Sequence, residues 1–138
     1  MHYIIATHHD MASGFLDAIN ILKGKQENIS ILNAYVESDD FAQEYRECLS
    51  RIGKDEKIIV LTDLVGGSVN QTVMRENTDA EIEIIAGINL DLVLSILTID
   101  ETGDVQQQIR DAVERSKGQM IYVNQLVKEL IERGKNDN

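Results

Sequence analysis

Short, continuous apolar runs alternate with helical patterns at least four times along this chain, and that alternation restricts the fold more than any other feature. Tyr3-Ile4-Ile5-Ala6 is apolar throughout and leads straight into Thr7-His8-His9-Asp10. Ile29 to Val36 is a second run, Lys57-Ile58-Ile59-Val60-Leu61-Thr62 the third and clearest, and Ala80 to Ala86 the fourth. A strand that is apolar at every position has no solvent face, so it belongs in a sheet covered on both sides. Between the runs, Met11, Phe15, Ile19 and Leu22 recur at helical spacing, and Gly24 is placed to end that helix. Ser38 is the candidate cap of a second helix, which buries Phe41, Tyr45, Cys48, Leu49 and Ile52 and stops at Gly53. A third is expected from Ser68 to about Glu76, and a fourth from Leu92 to Ile99, capped by Asn89 or Asp91. Val105, Ile109 and Val113 mark a fifth that stops near Gly118, and a sixth should run from Asn124 to Arg133. Met120 to Val123 is a candidate fifth short strand, and residues 134–138 should fray. Strand–helix alternation implies right-handed crossovers. The expected fold is therefore α/β, a mostly parallel doubly wound sheet with helices on both faces. At 138 residues the chain is long enough for one such domain, spanning 1–138.

In a sheet of this kind, ligands bind beyond the carboxyl ends of the strands, where the strand order reverses. For the order 2-1-3-4 that point lies between the first and third strands. Those two strands end in Thr7-His8-His9-Asp10 and in Asp63-Leu64-Val65-Gly66-Gly67-Ser68. A histidine at a strand end is held on a rigid element, and its neutral imidazole nitrogen is a nucleophile toward phosphoryl groups. Using one ring nitrogen requires the proton to be fixed on the other, a task for a carboxylate on a neighbouring loop. Asp63 is the candidate. A phosphoryl group also needs donors around its oxygens. Thr7 stands beside the histidine, Gly66 and Gly67 permit close backbone approach, Ser68 adds a hydroxyl, and a helix N-terminus presents unpaired amides. Each piece alone has an ordinary structural use: a solvated histidine, a capping aspartate, a Gly-Gly-Ser turn. Their meeting at one switch point favours chemistry, either phosphoryl transfer or the binding of an anionic metabolite.

Composition removes other classes. A formal charge of −11 opposes the binding of nucleic acid and of anionic lipid. One cysteine allows no internal disulfide, and Cys48 falls on an apolar helix face, where packing explains it. His8 and His9 are adjacent but have no cysteine and no third histidine near them, so no metal site is expected. Neither glycine-rich nucleotide motif is present, and no cofactor is implied. No run is long and apolar enough for a membrane span, and the N-terminus does not read as a signal peptide. A cytoplasmic location is expected.

Four features together resemble a known family: Ile4-Ile5-Ala6-Thr7-His8; Ile59 through Ser68 with Asn70; Ile85-Ala86-Gly87-Ile88-Asn89-Leu90; and the spacing between them. The chain is similar over about residues 2–130 to the enzyme IIA component of the mannose family of the bacterial phosphoenolpyruvate-dependent sugar phosphotransferase system. The resemblance implies that His8 takes a phosphoryl group on Nε2 from the histidine phosphocarrier protein HPr and passes it to an enzyme IIB component. Asp63 would bond the inner nitrogen, and Ser68 matches the family's serine near the phosphoryl group. Members are homodimers, often exchanging a C-terminal strand, for which Met120 to Val123 is the candidate here. The length suits a form not fused to IIB. The negative charge would attract a basic docking face on HPr. Three positions depart from the pattern: His9 stands where glycine is usual, and Val69 and Asp91 where proline is common. Two other readings stay open: the phosphotransfer subunit of a dihydroxyacetone kinase, and a metabolite-binding module without turnover. An inert oligomerisation domain would leave the two loops unexplained.

Overall fold

The apolar runs become strands. In the computed structural model, His2–His8 forms β1, Ile29–Ala34 β2, Ile58–Thr62 β3 and Glu83–Ile85 β4. The structure describes residues 1–77 and 81–136. The strands pair in parallel in the order β2-β1-β3-β4, as expected. Among the described residues there are six helices: Met11–Lys23 is α1, Phe41–Ser50 α2, Ser68–Glu76 α3, Leu90–Ile96 α4, Val105–Lys117 α5 and Val123–Asn136 α6.

Alternation along the central strands divides the core in two. Ile5, Ile59 and Leu61 face a layer made with Ala12 and Ile19 of α1, Leu92, Val93 and Ile96 of α4 and Ala112 of α5. Ile4, Ala6, Ile58 and Val60 face the opposite way, onto Phe41, Tyr45 and Cys48 of α2 and Val69 and Val73 of α3. This two-sided cover is why β3 is buried at every position, whereas the edge strands β2 and β4 are only partly covered. Each large aliphatic side chain enclosed in this way contributes about 1.5–3 kcal/mol relative to exposure.

Several boundaries differ from those expected. β2 stops at Ala34 because Tyr35 takes a left-handed backbone conformation, φ +68°, that leaves the strand. The cap of α2 is Asp40, whose Oδ1 accepts the Gln43 amide at 3.1 Å, while Ser38 Oγ accepts the Asp40 amide one turn earlier. That helix ends at Ser50, short of Gly53, on a 3.2 Å bond from the Arg51 amide to the Cys48 carbonyl. β4 is shorter than 80–86; Ala80 lies outside the described residues. α4 spans Leu90–Ile96, with Asn89 as its cap accepting the Leu92 amide at 2.8 Å. Asn89 also donates to the Ser116 carbonyl at 3.2 Å, so the Gly87-to-Leu90 stretch ties α4 to the end of α5.

The largest correction is at the C-terminus. Met120 to Val123 is not a strand: residues 120–122 are irregular and exposed, no strand of the chain pairs with them among the described residues, and Val123 already belongs to α6. α6 continues to Asn136, past the point expected to fray, while residues 137–138 lie outside the described set. None of its residues is buried. Val123, Leu126, Val127, Leu130 and Ile131 line one side at i, i+3, i+4, i+7 and i+8, and all are exposed.

Candidate functional site

His8 is the last residue of β1 and Asp63 the first after β3. The register sets Ala6 opposite Thr62 on one side and His8 opposite Ala34 on the other. The two residues therefore meet at the carboxyl end of the sheet, at the point where the strand order reverses.

Asp63 is buried and takes three donors. Oδ2 accepts both the His8 amide and His8 Nδ1, each at 2.8 Å, and Oδ1 accepts the Leu64 amide at 2.8 Å. Burial alone would push its carboxyl up. The bonds from the His8 amide, the His8 ring and the Leu64 amide, together with the charge of the ring when protonated, outweigh that and hold it below the ordinary aspartate value. A carboxylate offers no proton, so Nδ1 carries the ring hydrogen of a neutral His8. The lone pair is then on Nε2, which lies 3.2 Å from Ser68 Oγ. The His8 side chain is about one-third exposed, so this nitrogen can be reached from outside.

The glycines do different work from that expected. The Gly66 amide is bonded to Asn70 Oδ1 at 3.0 Å and the Gly67 amide to the Leu64 carbonyl at 3.0 Å, so both are used inside the loop. Gly66 supplies a positive φ of +74°. At Gly67 a methyl group would stand 3.1 Å from Leu64 Cβ and 3.2 Å from its carbonyl oxygen, so the missing side chain spares the Leu64 turn, while His8 Cε1 at 3.7 Å would be in ordinary contact. The amides of the first turn of α3, beginning at Ser68, have no intrahelical acceptor by helix geometry. Thr7 also moves away from its expected role. It is wholly buried, and its hydroxyl accepts the Ala12 amide at 2.8 Å, fixing the start of α1 rather than facing a ligand.

Two residues at the site had no role in the sequence reading, although Asn70 stood in a stretch that carries the resemblance. Asn70 is buried, accepts from Gly66 and donates to Thr62 Oγ1 at 3.1 Å, so it sets the shape of the 63–68 loop. Tyr35 donates its hydroxyl to Ser68 Oγ at 2.7 Å, and its ring lies 5.6 Å from the His8 ring. The available signal was its place just after the second strand, beside the first in the order 2-1-3-4. The exposed side chains around this end of the sheet are mixed: Met11 at the start of α1 and Val36, Leu64 and Val65 are apolar, while His9, Asp10, Glu37, Ser38, Asp39 and Asp40 are polar or acidic.

The backbone at His9 takes a conformation that favours glycine. Its φ is +52°, the left-handed region in which glycine is unstrained, while its amide bonds the Ala34 carbonyl at 2.9 Å. A side chain there costs about 1–2 kcal/mol. His9→Gly is expected to raise stability by about 1 kcal/mol, seen as a melting temperature higher by about 3–5 °C. An unchanged or lower value would mean that the His9 side chain makes compensating contacts.

Fold and site together define a class: a doubly wound parallel domain presenting an oriented, partly exposed imidazole at its switch point. The comparisons with known proteins agree. The family described as EIIA-man, PTS system fructose IIA component, matches residues 2–117. The chain belongs to this family and is a component of a sugar phosphotransferase system. A Klebsiella pneumoniae protein described as a phosphoenolpyruvate-dependent sugar phosphotransferase system permease is 31% identical, with TM-score 0.83 over 91% of this chain and 93% of that one. Phosphotransferase system component EIIA from Streptococcus agalactiae is 26% identical, with TM-score 0.71 over 90% and 98%. The mannose/sorbose specific IIA subunit from Enterococcus faecalis shares the fold, at 19% identity and TM-score 0.70 over 87% and 92%. Among the described residues no helix is long and apolar enough to cross a membrane.

Proposed function

We propose that this chain is a cytoplasmic histidine phosphoryl carrier. His8 Nε2 accepts a phosphoryl group from phospho-HPr and passes it to an enzyme IIB component during sugar uptake. The observation that carries this reading is the 2.8 Å bond between His8 Nδ1 and a buried carboxylate, which in the neutral ring puts the proton on Nδ1 and the lone pair on Nε2. In transfer, the Nε2 lone pair forms the new N–P bond as the donor's P–N bond breaks, and that electron pair returns to the donor's imidazole. No proton leaves Nδ1. The ring becomes cationic, and Asp63 offsets the new charge. Two unit charges about 4 Å apart at an effective dielectric of about 20 attract by on the order of 4 kcal/mol. Ser68 Oγ and the first-turn amides of α3 receive the phosphoryl oxygens. Thr7 acts behind them by fixing α1, and Gly66 and Gly67 by shaping the loop. Onward transfer to IIB is the same step reversed on a new acceptor.

The direct test is incubation with phosphoenolpyruvate, enzyme I and HPr. The expected product is one phosphate per chain, labile in acid and stable in base, as a phosphoramidate is. A chain that stays unlabelled, or that needs a soluble kinase subunit rather than IIB to discharge, would overturn the reading.

The exposed apolar stripe of α6 supports a homodimer, since an amphipathic helix with nothing buried needs a partner surface. Light scattering should give twice the chain mass. Leu130→Glu, on that stripe, should shift it toward the single-chain mass; a wild-type monomer would remove the dimer from the proposal.

A further inference from the structure

We propose that Tyr35 is a positioning residue for phosphoryl transfer, acting on His8 through the hydroxyl of Ser68. This role rests on the carrier reading above. Three observations carry it. The Tyr35 hydroxyl lies 2.7 Å from Ser68 Oγ, and Ser68 Oγ lies 3.2 Å from His8 Nε2, so the three groups form one chain. The Tyr35 ring sits between the rings of His8 and Phe41, at centroid distances of 5.6 and 6.5 Å, which ties it to the buried core of α2. Its backbone is held at φ +68°, a conformation that a bulky side chain rarely adopts. Strain retained beside a reactive group is a reason to look for a use.

The direction of the chain follows from proton counting. Asp63 is acceptor-only, so Nδ1 carries the ring proton and Nε2 accepts. Ser68 has one proton and gives it to Nε2. The Ser68 oxygen must then accept from Tyr35, whose O–H is the donor. A hydroxyl that accepts one bond is a stronger donor in the next.

This arrangement solves a problem at the nucleophile. The Ser68 proton occupies the lone pair that must attack phosphorus, so it has to turn away as the phosphoryl group arrives. Ser68 is exposed, and without Tyr35 its side chain is free to leave the site. With the oxygen anchored by Tyr35, only the proton needs to swing, from Nε2 to a phosphoryl oxygen. The N–P bond forms and the donor's P–N bond breaks as before; Tyr35 and Ser68 each keep their proton.

The test compares Tyr35→Phe, Ser68→Ala and the double variant by rapid-quench labelling from phospho-HPr and by ¹⁵N NMR of the His8 ring. Tyr35→Phe should slow labelling about fivefold, the equivalent of one neutral hydrogen bond. The double variant should be no slower than Ser68→Ala, because the two residues act in series. In Tyr35→Phe the Nε2 resonance should move toward that of a free lone pair, with the Nδ1–H signal unchanged; a packing role would not move it selectively. A ring-fluorinated tyrosine at 35, nearly isosteric and with a more acidic hydroxyl, should move Nε2 the other way, and this holds the test open if Tyr35→Phe folds poorly. Unchanged labelling, an unmoved Nε2 resonance, or losses that multiply in the double variant would overturn the role of Tyr35 while leaving the carrier reading intact. A wild-type chain unlabelled at His8 would overturn both.

Discussion

Replacing His8 by alanine is expected to abolish the phosphate label completely, while His9→Ala keeps it. Alanine has no lone pair, so no partial rate should remain at this position. The fold should survive, because the backbone amide of residue 8, which also bonds Asp63 Oδ2 at 2.8 Å, is kept. His9 follows directly in sequence but is placed differently. It has left the strand at φ +52°, and Asp63 accepts its ring bond from His8. Only one of the two imidazoles has its tautomer set. Label that persists without His8 and disappears without His9 would sink the assignment. Mass spectrometry under basic conditions reads the result without interference from acid hydrolysis.

Asp63→Asn is expected to slow transfer by about 10²–10⁴-fold, the range seen when an orienting carboxylate or a positioned acid–base group is lost. The amide can still accept through its oxygen, so the ring can stay near its place. It can no longer offset the cation formed on phosphorylation. Its NH₂ group must also face a donor, either the Leu64 amide or the two His8 donors, leaving a buried donor unmatched at about 1–3 kcal/mol. The same residue sets a pH dependence. Its carboxyl is held below the ordinary aspartate value in the folded chain. Its stabilising effect is therefore fully present above the ordinary aspartate range and is lost as the pH falls through the folded value. Unfolding free energies of wild type and Asp63→Asn, measured from neutral to acid pH, should converge at the acid end. Equal slopes would show that the carboxylate is not stabilised as the geometry requires, and an unchanged transfer rate would remove its role at the ring.

Much of the architecture was legible because the signals were local. Ile58 to Thr62 reads as a doubly buried strand, and it is buried at every position. Ser68 to Glu76 was bounded correctly at both ends, with Gly67 as the observed cap. Met120 to Val123 misled because an apolar run records only a need for cover, not the surface that provides it. Ser38 lost the cap of α2 to Asp40 because three successive side chains of capping type, Ser38, Asp39 and Asp40, compete, and only the path of the chain selects among them. Thr7 was placed at the right strand end and the two glycines in the right loop, but with other partners, since hydrogen bonds over four or five residues depend on the turn that joins them.

The sequence by itself determined the strand–helix alternation, the parallel sheet, and the pairing of His8 with Asp63 at the switch point. Apolar periodicity and the handedness of crossovers suffice for the first two; the pairing also takes the order 2-1-3-4, which burial does not fix. The resemblance implied that Asp63 bonds the inner nitrogen of His8, and the tertiary structure supplies the contact itself, a carboxylate 55 residues away lying 2.8 Å from Nδ1. The tertiary structure alone brought Tyr35 to Ser68 across 33 residues, and it alone showed the apolar side of α6 left uncovered. Contacts of this kind are made by folding, between residues whose separation along the chain carries no periodic signal.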